Sequence, residues 1–182
     1  MSRYRRRFLS PRIEALFNKT YKWKPKRVPK HLTSTDWNDV WHVSSLTDGK
    51  LVFNFSTDNN VPYDVEMKIH TNSYDQVLEA RIEFKNLNQK PREQMIITGD
   101  GDALAVFATV LDILAWVMFE VPLLKEVIFT ASKFEFDADG MMRDTTHRGR
   151  LYEKISRKFV DKHGWNLGTR NARDFTLFAI TR

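Results

Sequence analysis

Residues 103 to 119, ALAVFATVLDILAWVMF, are apolar on nearly every face of the helix they would form, broken near the middle by Asp112. A helix of that kind cannot lie on a surface. It needs cover from two sides, supplied either by a sheet and its neighbouring elements or by a second subunit. At 17 residues with an internal carboxylate, it falls short of the ~20 apolar residues of a bilayer span. A core helix is therefore expected, and no membrane span. Directly before it runs Gln94-Met95-Ile96-Ile97-Thr98-Gly99-Asp100-Gly101-Asp102, a glycine turn in which Asp102 is a candidate N-cap. Backbone amides at such a turn can hold a pyrophosphate. The plainer reading is a tight turn in which glycine supplies a positive φ.

Upstream, 39–44, 51–56, 64–71 and 77–85 read as strands, separated by turn clusters such as Thr47-Asp48-Gly49 and Asp58-Asn59-Asn60. The alternations are clearest for Val65, Met67 and Ile69 against Glu66, Lys68 and His70, and for Leu78, Ala80, Ile82 and Phe84 against Glu79, Arg81 and Glu83. Such strands pack one face and wet the other, as antiparallel strands do. Downstream come a short apolar strand at 127–131, a helix at 146–163 and a closing strand at 175–181. The expected fold class is α/β in the α+β sense, a mixed and largely antiparallel central sheet with helices on both faces.

Charge is divided unevenly along the chain. Residues 1 to 31 hold eleven of the 29 Lys and Arg but only one acid, Glu14, of 23, leaving 18 basic against 22 acidic residues for the rest. Residues 1–31 therefore read as a basic arm and 32–182 as one domain. Within the arm, 11–19 suits a short helix, while Lys24 to Lys30, with two prolines, reads as an extended connector. Arg3, Arg5, Arg6, Arg7, Arg12, Lys22, Lys24, Lys26 and Arg27 are interleaved with Tyr4, Phe8, Phe17, Tyr21 and Trp23. That mixture suits a nucleic-acid backbone with stacked bases, an acidic partner protein, or packing of the arm on the body. On the helix at 146–163, Arg150, Lys154, Arg157 and Lys158 have the spacing of a basic stripe that could join the arm in one partner-binding face or simply be solvated.

Cysteine is absent, which removes disulfides, thiolate nucleophiles and thiolate zinc sites. The histidines lack metal-ligand spacing, and Asp137-Ala138-Asp139-Gly140 lacks the later ligands of a calcium loop, so no metal is expected. Arg3 to Arg7 is not followed by an apolar stretch, so no secretory signal is expected and the chain reads as cytoplasmic.

With Gly99-Asp100-Gly101 heading the central helix and Leu151-Tyr152-Glu153-Lys154 on the next, the element order resembles the GNAT-type N-acetyltransferases over roughly residues 40 to 181. Phe129-Thr130-Ala131-Ser132 followed by Arg148, Leu151 and Tyr152 is also similar to small GNAT-like proteins of tailed bacteriophages, which would place the chain in a host cytoplasm or a virion. The resemblance implies acetyl-coenzyme A as cofactor, bound where two central strands splay apart. It implies Thr98, Gly99, Gly101, Asp102 and Ala103 as the pyrophosphate loop, and Tyr152 as the acid that protonates the departing thiolate. Tyr152 also adjoins the apolar stripe Leu151, Ile155 and Phe159, the setting of a structural tyrosine. Acetyl transfer further needs a base for the acceptor amine. Glu79 and Glu83, on the wet face of the strand before the loop, are the candidates.

Three readings stand on the sequence. One is an N-acetyltransferase acting on an amine of a protein or small molecule. The second is a GNAT-like domain without catalysis that binds a host protein or nucleic acid, a reading favoured by the like charge Asp100 and Asp102 would place against a pyrophosphate. The third is a virion-associated structural or ejection component that self-assembles as a homo-oligomer through its aromatic arm and apolar helix.

Overall fold

A computed structural model describes residues 19–28, 50–72, 77–88, 103–136, 142–144 and 146–182. Strands β1 (Trp23–Arg27), β2 (Lys50–Ser56), β3 (Pro62–Asn72), β4 (Val77–Asn86), β5 (Leu124–Ser132), β8 (Asn166–Asn171) and β9 (Phe175–Thr181) form one seven-stranded sheet in the order β1-β2-β3-β4-β5-β9-β8. A separate two-stranded ribbon pairs β6 (Phe134–Phe136) with β7 (Met142–Asp144). Helix α1 (Ala103–Glu120) connects β4 to β5, and helix α2 (Thr146–His163) precedes β8. Every neighbouring pair in the large sheet is antiparallel except β4 with β5. The mixed, largely antiparallel sheet expected from the alternation is therefore the fold observed.

Register explains the layers. Phe53 faces Val65, Val65 faces Phe84, and Phe129 faces Phe178, so these side chains share one side of the sheet. Both described helices cover that side. Phe107 of α1 contacts the rings of Phe84 and Phe129, Trp116 that of Phe53, and Tyr152 of α2 lies against Phe84 and Phe107. The opposite side of β2 to β4 is chiefly charged. There Glu66 takes Lys50 and Lys85, each at 2.9 Å, and Lys26 of β1 reaches Asp64 at 2.9 Å.

Helix α1 is covered as its composition demands, with twelve of its 18 residues buried. The sheet lies beneath it and α2 beside it. Residues 20 to 23 form a strap across a further side: the Tyr21 N–H donates to Thr109 Oγ1 at 2.8 Å, and Trp23 Nε1 donates to Asp112 Oδ2 at 2.8 Å. Asp112, the interruption in the apolar run, is thus the anchor of that strap. At the other end Pro122 forbids continuation of the helix. Arg182 donates to the freed carbonyls of Met118 and Val121 at 2.6 and 3.0 Å, and also to Pro122 O, as a cation at a helix C-terminus should. Helix α2 stops at Gly164, whose φ of +69° is open to glycine, with Trp165 N–H returning to Val160 O at 3.0 Å.

The structure changes the reading of the arm. Its last part, Lys19 to Val28, belongs to the body: Tyr21 is buried, and the stretch taken for a connector supplies edge strand β1. Pro25 is tolerated because β1 is an edge with a register shift between Pro25 and Arg27. Strands β6, β7 and β8 are additions to the sequence reading, and β3 is longer than 64–71. The expected strand at 39–44 and nearly all of the expected helix at 11–19 lie outside the described residues.

Candidate functional site

The unusual place in the sheet is the β4/β5 junction. These parallel strands pair from Leu78 with Leu124 to Arg81 with Ile128, with a shift after Leu78, and the ladder ends there. Strand β4 runs on to Asn86 and β5 to Ser132. Beyond Arg81 and Ile128 the facing edges are not paired with each other, which leaves backbone donors and acceptors to be satisfied by something other than the adjoining strand. The result is a fork that opens toward the C-terminal ends of two parallel strands. Helix α1 starts at that end, because it follows β4, and so does α2, which follows β5.

Rings close the fork on its helical side. Phe84 and Phe129 lie just past the last paired residues, Phe107 sits between them at 6.3 and 5.4 Å, and Tyr152 stacks on Phe107 at 4.0 Å with planes 9° apart. The Tyr152 side chain is buried and its position is fixed by that stack. The sequence placed Tyr152 correctly on the second helix, beside the core stripe, but could not place its ring over the fork. Phe84, Phe107 and Phe129 looked like ordinary core residues. Their spacing carried no signal of the fork, which exists only once strand register is known.

On the charged side, Glu79 of β4 lies level with Glu126 of β5 and with His70 of β3. Burial, and then the negative charge of Glu79, push the Glu126 carboxyl above the ordinary carboxylate range. The apolar run that signals this strand starts only at Val127, so the sequence carries no sign of Glu126, although β5 begins at Leu124. Glu83 is exposed and lies 3.8 Å from Lys68. Glu79 therefore sits near the apex of the fork, and Glu83 farther along its β4 arm.

Of the proposed loop, Ala103 is the first residue of α1 and exposed, while Thr98, Gly99, Gly101 and Asp102 lie outside the described residues. So do Arg3, Arg5, Arg6, Arg7 and Arg12. Lys22, Lys24, Lys26 and Arg27 are exposed on or just before edge strand β1. The stripe on α2 is parcelled out rather than continuous. Arg150 lines a cleft of about 520 Å³ between the end of β5 and the strands β8 and β9, Arg157 is paired with Glu153 at 2.7 Å, Lys154 is exposed, and Lys158 lines a second cleft against α1. Among the described residues no group of three His, Asp or Glu side chains converges as metal ligands.

No family model matches the sequence, and no curated protein matches it. Among solved structures, the chain is similar to a spermidine N-acetyltransferase chimera built from SpeG of Vibrio cholerae and hSSAT, at 12% identity and a TM-score of 0.42, covering 78% of this chain and 72% of that one. It is also similar to an acetyltransferase of the GNAT family from Streptococcus pneumoniae, at 10% identity and a TM-score of 0.37, covering 76% and 70% of the two chains.

Proposed function

We propose that the protein is a GNAT-type N-acetyltransferase that binds acetyl-coenzyme A in the β4/β5 fork and transfers its acetyl group to an amine. The observation that carries this reading is the break in a parallel ladder after Arg81 and Ile128, with a tyrosine ring fixed over the opening. A parallel junction that ends early offers what an extended thioester arm needs: two released strand edges whose N–H and C=O groups are free to pair with amide groups of the ligand. Arg150, exposed on the wall of the cleft at the mouth of α2, provides a cation for its phosphates.

Acetyl-coenzyme A, when bound, supplies an activated acyl group. The chain's own residues have three tasks. Backbone N–H groups of residues 82–86 and 129–132 hold the ligand and polarise the carbonyl. Tyr152, locked on Phe107, presents its hydroxyl as proton donor to the leaving sulfur. The acceptor amine approaches from the charged side, where Glu79 takes its proton directly or through water. Glu126, partly buried beside Glu79, adds negative potential that draws an ammonium toward the apex.

Isothermal titration of the full chain with acetyl-coenzyme A tests this reading. Saturable binding in the micromolar range is expected. Absence of binding at millimolar ligand, with the fold intact by circular dichroism, overturns it.

A further inference from the structure

Away from the fork, the last turns of the two helices gather four rings. His163 stacks on Trp165 at 4.8 Å with planes 23° apart, Phe159 is 4.7 Å from His163, and Phe119 of α1 is 5.9 and 5.7 Å from His163 and Trp165. Phe119 is 63% exposed, the most exposed of the large hydrophobic side chains among the described residues. Phe159 and Trp165 pack against the core, while the exposed Phe119 leaves one face of the cluster open to a planar partner.

From this cluster a cleft of about 470 Å³ runs between α1 and α2, with Phe159 and His163 on its wall, a volume within the range of small-ligand sites. Lys158 and Lys162, one turn apart on α2 and both exposed, line it as well. Asp112 is the one carboxylate among the described lining residues, and its Oδ2 accepts from Trp23 Nε1 at 2.8 Å. Among the described residues no carboxylate pairs with Lys162. Burial and the neighbouring Lys162 hold His163 below its ordinary pKa, against a smaller opposing pull from Asp112. Both causes favour the neutral imidazole, which is suited to stacking.

We propose that this face binds single-stranded nucleic acid, with one base stacked on Phe119 and the His163–Trp165 pair and the flanking phosphates on Lys158 and Lys162. Rings beside two lysines at helical spacing match a repeating polymer of bases and phosphates. An acidic peptide would use the lysines but leave the rings open. A second copy docked through the same face would bring two sets of lysines into one interface, which like-charge repulsion opposes. The inference is independent of acetyl transfer.

Fluorescence anisotropy of a labelled oligothymidylate of about 12 nucleotides, titrated with the full chain over a salt series, tests it. Saturable binding that weakens with salt is expected. Phe119→Ala should weaken it about tenfold at unchanged melting temperature, and Lys162→Gln should lower the salt slope by about 0.7. Trp165 reports locally: bound oligonucleotide should quench fluorescence in the wild type, and that quench should disappear in Trp165→Phe. Equal affinity and equal salt slope in these variants would overturn the proposal even if the chain bound nucleic acid elsewhere. No saturable binding, or sedimentation showing that Phe119→Ala abolishes a dimer instead, would overturn it too.

Discussion

The β2–β4 part of the sheet and the β4/β5 junction are built on opposite principles. Strands β3 and β4 exchange pairing over ten residue pairs, whereas β4 and β5 do so over four. On the charged face of the first, Glu66 lies between Lys50 and Lys85 at 2.9 Å each, and they hold its carboxyl below the ordinary range. At the second, burial and then the charge of Glu79, level with it on β4, hold Glu126 above that range. The contrast separates scaffold from candidate site. Like charges also face each other in the first, Glu66 opposite Glu83 and Lys68 opposite Arg81, but there the ladder runs long and two lysines lie 2.9 Å from Glu66. Released backbone edges and a carboxyl held above its ordinary range cost stability, and their coincidence at one junction is the physical reason to look for chemistry there.

The strongest way to break the contrast is to empty the fork. Phe107 is 1% exposed and touches Phe84, Phe129 and Tyr152, so Phe107→Ala should cost about 3–5 kcal/mol, read by urea denaturation. Phe53→Ala, in the continuously paired part, should cost a similar amount, because burial is the same. The two should differ in ligand response: acetyl-coenzyme A should still raise the melting temperature of Phe53→Ala but not that of Phe107→Ala. Equal responses would remove the distinction between the two regions. A narrower change is Tyr152→Phe, which keeps the ring stack. We expect stability to change by less than about 1.5 kcal/mol and the turnover number to fall roughly a hundredfold with little change in KM for acetyl-coenzyme A. Unchanged turnover would make Tyr152 a structural residue.

The sequence announced the scaffold far more clearly than the site. Alternation at Val65, Met67 and Ile69 and at Ala80 and Ile82 declared which side of β3 and β4 is buried, because period-two burial is written locally. The demand of the all-apolar helix for cover was equally plain, although the strap from Tyr21 to Trp23 was read as part of an arm. Its basic neighbours Lys22, Lys24 and Lys26 masked two aromatic side chains that belong to the body. Strand β8, Asn-Leu-Gly-Thr-Arg-Asn, is almost wholly polar and exposed, having only one edge to pair and little core to cover. The fork is a matter of where two distant strands stop pairing, and no residue spacing encodes that. Tyr152 was legible as a residue and as a helix position, while its relation to Phe84 and Phe129 needed three elements to be assembled first.

Charge compensation gives a smaller test. A depressed carboxyl pKa means that the folded state favours the ionised form. The Glu66 contribution is therefore fully present above the ordinary carboxylate range and is lost as pH falls through the lower value set by Lys50 and Lys85. Glu66→Gln should destabilise by about 0.5–1 kcal/mol at pH 7, since both lysines remain partly exposed. The gap from wild type should close under acid conditions, below that lowered pKa. A constant gap from pH 7 to pH 2 would mean that packing rather than charge sets the effect.

Glu126 should behave with the opposite sign. Its pKa is raised in the fold, so the folded state disfavours the ionised carboxylate. The stability associated with the neutral form is complete below the ordinary carboxylate range and is lost as pH rises through the raised value. Replacing the carboxyl with a neutral amide should therefore stabilise the protein at pH 7 by a few tenths of a kcal/mol, within the usual range for a partly exposed position. Wild type and Glu126→Gln should converge near pH 3. Glu79→Gln should lower the Glu126 pKa without abolishing its upward shift, because burial is the larger cause and remains. Titration of the Glu126 carboxyl by carbon-13 NMR in the two backgrounds separates these contributions. A Glu126→Gln variant less stable than wild type at neutral pH would mean that Glu126 is held by a favourable contact, and the junction would then be compensated in the same way as Glu66.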